Sequence, residues 1–254
     1  MVVESLERYL RETDMKQLLK ELEVPDPKPL LETIKHFTLK EAEKRDKILM
    51  DYFGEKGINL IVNSISAHLL ESAPKLKPNA KILDVGAGSG LFTTKVAEKV
   101  KNKLPEASFY AMDATPIMLK MIAAKASEVQ PFLGVAENIT KSIQIARRHI
   151  KLPLKFDAVF STLMLHHCAD IQKVFKSMRE ALKANGKVVV VDLCNHSFVE
   201  FREEMGDTHL GFEVTQIKKA AKTVFTHVSV DKLPGICCSS SGRSAELFVA
   251  YMTP

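Results

Sequence analysis

The sequence predicts an α/β protein: a mostly parallel sheet of seven strands ending in an antiparallel hairpin, preceded by a helical segment. Three observations carry this. The hydrophobic period changes near residue 79, from helical spacing to short apolar runs. From Lys81 onward those runs alternate with helical stretches, the pattern of parallel strands joined by crossover helices. The last two runs have no helix-length insert between them, so they pair antiparallel.

The elements follow in order. Leu6, Tyr9 and Leu10, then Leu18, Leu19 and Leu22, have helical spacing and end in a stretch broken by Pro25, Pro27 and Pro29. Thr38 is the expected N-cap of the next helical segment, in which Ile48, Leu49, Tyr52 and Phe53 share a face. Past Gly54 and Gly57, the residues Ile58, Ile61, Ile65, His68 and Leu69 continue the pattern, until Pro74 and Pro78 end it. Residues 1–78 are thus expected as an N-terminal helical cap and residues 79–254 as the sheet domain. The expected strands are Ile82 to Val85, Phe109 to Met112, Phe132 to Val135, Phe156 to Phe160, Val188 to Val191, Phe225 to Val230 and Glu246 to Met252. Among the helices, Asp170 reads as an N-cap ahead of Ile171, Val174, Phe175, Met178 and Leu182, with Asn185-Gly186 closing the helix.

Composition bounds the function. Of 254 residues 46% are apolar and 26% charged, with a formal charge of +5, as in ordinary globular proteins of about one or two domains. Lysine is scattered without blocks of like charge, so charge does not argue for nucleic acid. No apolar run reaches the roughly 20 residues of a membrane helix. The four cysteines are too sparse for a disulfide scaffold and no signal-peptide core opens the chain, so the expected location is cytoplasmic.

The first strand runs into Asp84-Val85-Gly86-Ala87-Gly88-Ser89-Gly90, and a helix begins at once. Three glycines in five residues allow a sharp turn and close approach of a ligand. A dinucleotide fingerprint fails, because its last glycine position is Leu91 and Asp84 would point charge toward a pyrophosphate. A phosphate-binding P-loop fails for want of Gly-Lys-Ser/Thr.

The stretch I-L-D-V-G-A-G-S-G resembles motif I of the class I S-adenosylmethionine-dependent methyltransferases. The resemblance implies a Rossmann-like sheet with S-adenosyl-L-methionine as cofactor. The backbone of Gly86, Ala87, Gly88 and Gly90 would lie against its methionyl and ribose part, with Asp84 near its amino group. At the end of the second strand, Met112-Asp113-Ala114-Thr115-Pro116-Ile117-Met118-Leu119 resembles the family's x-D-x-S-P-x-M-L segment, which implies that Asp113 holds the ribose hydroxyls beside Ala114. Read alone, Asp113 has a second reading, as the cap of the helix that follows. Related enzymes often have G-D-A-E after the third strand; here Val135 replaces the Asp, leaving adenine recognition to the backbone of Ala136 or Glu137, or to the Glu137 or Asn138 side chain. The fourth strand continues through Ser161 to Leu165-His166-His167-Cys168, resembling the small-molecule branch of the superfamily and implying that Ser161 lies at the cofactor. Proline is absent from this loop and no Cys follows Pro, which argues against base methylation.

In an open parallel sheet, ligands bind outside the carboxyl ends of the strands. His166, His167 and Cys168 fall there after strand four, Cys194 and His196 after strand five, and Cys237 and Cys238 in the loop between the last strands. Asp207-Thr208-His209-Leu210-Gly211-Phe212 adds another histidine, its H-L-G-F ending resembling a stretch of this branch. A histidine titrates near working pH, and the resemblance implies His166 as the candidate catalytic base, against a packing or capping role, since it follows Leu165 at the loop position where some O-methyltransferases place theirs. Tyr52, His167 and His209 are candidate substrate contacts. The cysteines read as inert buried thiols or as ligands for a soft metal or metalloid, with no metal as the expectation. The expected function is methyl transfer to a small-molecule O, S or N acceptor under a helical lid. The alternatives are an RNA or protein methyltransferase and a non-catalytic cofactor-binding regulator, and a homodimer is left open.

Overall fold

A computed structural model describes residues 2–28, 30, 31, 34, 39–199, 202, 208–240 and 243–254. Pro29, Thr38 and Asp207, which figure in the expectations above, lie outside the described residues. The chain begins with helices α1 (Val2–Glu12), α2 (Met15–Glu21) and the long α3 (Leu39–Glu71). Then β1 (Lys81–Val85), α4 (Leu91–Lys101), β2 (Ser108–Asp113), α5 (Pro116–Lys125), β3 (Val129–Leu133), α6 (Ile139–Ala146) and β4 (Phe156–Thr162) alternate. Last come α7 (Ile171–Ala181), β5 (Leu182–Leu193), α8 (Val214–Lys222), β6 (His227–Ser240) and β7 (Arg243–Thr253). Short 3-10 turns at Ala136–Asn138 and Leu165–His167 follow β3 and β4.

The seven strands form one sheet in the order β3-β2-β1-β4-β5-β7-β6. β1 to β5 are parallel, and β7 inserts antiparallel between β5 and β6. This is the expected mostly parallel sheet with its terminal hairpin, and the continuous Val188–Val191 run is fully buried, as strands covered on both faces require. No described helix is long and apolar enough to cross a membrane.

Three boundaries differ from expectation. β3 starts at Val129, because its register with Phe109–Asp113 of β2 begins there, and it ends at Leu133, after which Gly134 donates to the Asp113 carbonyl and turns the chain. The α7 N-cap is as read, Asp170 accepting from the Lys173 N–H, but the helix stops at Ala181. Asn185-Gly186 instead lies within an irregular stretch of β5, where the register with β4 jumps from Phe156↔Leu182 to Ala158↔Lys187. β6 begins at His227 and runs far beyond Val230, so Cys237 and Cys238 are strand residues opposite Glu246 and Ala245 rather than loop residues.

The N-terminal helices share the core of the sheet. Leu6, Tyr9, Leu18, Leu19 and Leu22 are buried in the same hydrophobic cluster as the strands. The Tyr9 ring stacks on His149 at 4.9 Å, and Asn138 donates to the Leu22 carbonyl at 3.2 Å. α3 packs against α4 and against β5, β6 and β7, and is broken at Gly54, whose φ of 62° and ψ of 173° leave the helical region. Its far end is fixed by Lys187. That ammonium is fully buried and donates to the carbonyls of His68, Leu69 and Ser72 at 3.1, 2.9 and 2.8 Å, meeting acceptors that a helix end leaves open.

Candidate functional site

The carboxyl ends of β1, β2, β4 and β5 bring most of the expected residues to one rim. The glycine loop after β1 is tied to β2: the N–H groups of Gly86 and Ala87 both donate to the Met112 carbonyl, at 2.8 and 3.1 Å. Its glycines serve two purposes. Gly86 has φ 72°, and a Cβ there would collide with the Met164 side chain, so its smallness admits a protein neighbour rather than a ligand. Gly88, at φ 53°, has nothing within 4 Å of where a Cβ would stand and is the bare backbone that faces open space.

Two carboxylates flank that loop. Asp113 accepts from the Gly88 N–H through Oδ2 and from the Thr115 N–H through Oδ1, both at 2.8 Å. Burial pushes its carboxyl up, while these bonds and the Arg45 charge oppose the shift. Thr115, not Asp113, is the residue at the α5 N-cap position. Asp84 accepts from the Thr93 hydroxyl at 2.6 Å through Oδ2. Its Oδ1 is buried with no hydrogen-bond partner among the described residues, and burial raises the carboxyl to about 7, Thr93 opposing and the Asp113 charge adding to the shift. A buried acceptor without a donor, close to a second carboxylate, suits a ligand that brings a cationic amine and hydroxyls.

Beyond β3, Ala136 is buried and Glu137 half-buried, its carboxyl raised by burial. The Asn138 amide is engaged by the α2 end, and the Val135 N–H donates to Ser142, which leaves the Glu137 side chain and the 136–137 backbone as the candidates for adenine. Ser161 is fully buried and its hydroxyl donates to the Val85 carbonyl at 2.8 Å, so it ties β4 to β1 behind the site. Ala87 and Ala114 are half-buried beside the loop and Asp113, whereas Gly90 is enclosed by Ile122.

The first half of α3 lies across this loop. Asp46 accepts from the Ser89 hydroxyl and pairs with Lys125, which also donates to the Ser89 carbonyl at 2.9 Å. Arg45, its neighbour, is the residue whose charge acts on Asp113. Tyr52 and Phe53 are half-buried against the core immediately before the Gly54 break. Sequence reasoning missed Asp46 and Arg45, because nothing in a solvated charge pattern says which helix face docks.

The histidine rim is assembled by β5. His166, 5% exposed, places Nδ1 2.6 Å from Oδ1 of Asp192, a residue that sequence reasoning also missed. The available signal was an acidic residue at the C-terminal end of a buried apolar strand, the pattern Asp84 and Asp113 share. The His167 ring lies 4.1 Å from that of His166. His209 donates its backbone N–H to the His166 carbonyl at 2.9 Å, and Thr208 donates to the His167 carbonyl, so the 208–212 segment clasps the loop. Phe212 bridges to Cys194, completing that clasp. Burial pushes both the Cys168 and Cys194 thiols up, which disfavours reactive thiolates. Among the described residues, no three His, Cys, Asp or Glu are grouped to hold a metal ion.

Residues 83–188 match the family model described as a methyltransferase domain. Over that stretch the chain is similar to methyltransferase domains, in keeping with the resemblance of its loops to the class I S-adenosylmethionine-dependent enzymes. Relatives include the highly reducing polyketide synthase g433 of a Fusarium species, 23% identical over 65% of this chain and 7% of that protein. The mitochondrial ubiquinone biosynthesis O-methyltransferase of Schizosaccharomyces pombe is 32% identical over 43% of this chain and 36% of that protein. The chain thus spans about a third or less of either relative's length. Among solved structures, Haemonchus contortus phosphoethanolamine N-methyltransferase 2 in complex with S-adenosyl-L-methionine has the same fold, with TM-score 0.61, 17% identity and coverage of 85% of this chain and 57% of that one.

Proposed function

We propose that the chain transfers a methyl group from S-adenosylmethionine to an oxygen, sulfur or nitrogen of a small molecule held between the rim histidines and the helical cap of residues 1–78. The observation that carries this reading is the constellation of Asp84, the bare Gly88 backbone and Asp113 around one loop. Asp113 would accept from the ribose hydroxyls, Asp84 would face the amino group, and the 136–137 backbone would meet the adenine. When bound, the cofactor supplies an electrophilic sulfonium methyl, and its loss leaves a neutral thioether.

The remaining work is alignment, exclusion of water and removal of a proton. The Asp46, Ser89 and Lys125 contact holds the first half of α3 over the loop, which keeps water from the reacting atoms. His166 takes the acceptor's proton, with His167 and His209 beside it as acceptor contacts. Tyr52, on the roofing helix, supplies a further contact. Calorimetry tests the reading: S-adenosylhomocysteine should bind and Asp113→Ala should weaken it at least about tenfold, the equivalent of about 1.4 kcal/mol. Binding of NADH in its place would overturn it.

A further inference from the structure

We propose that the hydroxyl of Tyr9, brought by helix α1 to the end of β3, recognises the adenine of the cofactor by donating its hydrogen to a ring nitrogen. This rests on the proposed binding of S-adenosylmethionine and adds to it a residue of the N-terminal cap that tells this base from others.

The placement follows from the sheet. β3 is an edge strand, paired with β2 alone among the described strands. Successive backbone groups of a strand point alternately to its two sides, and the Gly134 N–H points to β2, donating to the Asp113 carbonyl. The Leu133 N–H therefore faces the open edge. Helix α1 packs on β3 and α5 and covers that edge, where stacking on His149 at 4.9 Å, with 29° between the planes, holds the Tyr9 ring.

The Leu133 N–H lies near the Tyr9 oxygen without being aligned for a hydrogen bond, and the phenol has a hydrogen of its own to give. Tyr9 is 1% exposed, and its hydroxyl has no hydrogen-bond partner among the described residues. A buried hydroxyl left so is costly, and a phenylalanine would fill the same space without that cost. Such a residue points to a partner that arrives with a ligand.

Adenine is that partner by position and by need. Leu133 is the register partner of Asp113, the carboxylate assigned to the ribose, and it lies just ahead of Ala136. Neighbouring strands are about 4.8 Å apart, so a purine carried by a ribose at Asp113 reaches the side of the sheet that Tyr9 closes. Other polar groups at that end are engaged, the Val135 N–H by Ser142 and the Asn138 amide by the Leu22 carbonyl, and the Val135 side chain is apolar. Glu137 and Tyr9 are the side chains left. A carboxylate at Glu137 accepts from the exocyclic amine but has nothing to give a ring nitrogen, whereas the phenol supplies that hydrogen.

Calorimetry on the whole chain tests this, with S-adenosylhomocysteine and with analogues in which each acceptor nitrogen of the base is in turn replaced by C–H. Tyr9→Phe removes one oxygen and keeps the ring on His149, so its melting temperature without ligand should stay within about five degrees of wild type. It should bind S-adenosylhomocysteine about fivefold more weakly, the usual worth of one hydrogen bond, while wild type and variant should bind one of the analogues alike. An affinity for S-adenosylhomocysteine within about twofold of wild type overturns the proposal. So does an equal loss for every analogue, the mark of a hydroxyl that acts only on the fold, and so does a larger drop in melting temperature, which assigns the oxygen to Leu133. Failure of the methyltransferase reading is separate, since it appears as absence of S-adenosylhomocysteine binding to wild type.

Discussion

Asp84 is the residue whose solitary chemistry gives the clearest pH signature. Its folded pKa of about 7 lies above the ordinary 3.8, so its protonated form is favoured in the fold. The stability it contributes is full below about pH 4 and falls as pH rises toward 7, because the folded state there binds more protons than the unfolded one. Asp84→Asn should therefore stabilise the ligand-free protein at pH 8, by up to about 4 kcal/mol, and leave it little changed at pH 4. Chemical denaturation at the two pH values measures this, and the same variant should bind S-adenosylhomocysteine more weakly. Turnover should fall by about a hundredfold or more in His166→Gln once an acceptor is found, as loss of a general base implies. Asp84, Asp113 and the glycines were legible because they are close together in sequence around strand ends. Asp192 was not, because its partner is 26 residues away and only the parallel pairing of β4 with β5 brings the two together.

At the scale of elements, alternation of apolar runs with helical periods was enough to give seven strands and their directions, since each strand is buried on its own account. The ends were less legible. Asn185-Gly186 carries the signature of a helix stop, yet the N–H of Leu182 already closes α7 by donating to the Arg179 carbonyl, and Leu182 pairs with Phe156. The hairpin outran its expected length because strand pairing, not side-chain hydrophobicity, extends β6 through Cys237 and Ser240. Lys187 also had no signal of its own, a lysine beside an apolar run reading as surface. Lys187→Met should destabilise the fold by about 3 kcal/mol, because three carbonyls at the end of α3 lose their donor, and thermal unfolding reads this directly. Asp46→Asn should instead leave global stability nearly intact while amide exchange quickens in residues 39–53, since it breaks only the contact with Ser89 and Lys125.

For the whole molecule, the sharing of one core between N-terminal helices and sheet has a consequence for cooperativity. Leu6, Tyr9, Leu18, Leu19 and Leu22 are each at most 5% exposed, so removing residues 1–24 would bare their partners, among them α5 and β3. Calorimetric unfolding of the full chain should give one transition, and the chain lacking residues 1–24 should melt lower by ten degrees or more, at about 4–8 °C per kcal/mol for a small domain and less for a larger one. Two separate transitions in the full chain would show that the helices fold by themselves.

The break at Gly54 divides α3 into lengths with opposite obligations. The length beyond it is moored under the sheet by a buried cation, while the length before it reaches the glycine loop through polar contacts and rests Leu49, Tyr52 and Phe53 on the core. A protein so arranged can trade one roof for another without renegotiating its foundations. On the proposed function, grafting a different amphipathic sequence into positions 39–53, with Asp46 and the core-facing Ala42, Leu49, Tyr52 and Phe53 kept, should change which acceptors are taken while the melting temperature stays near its original value.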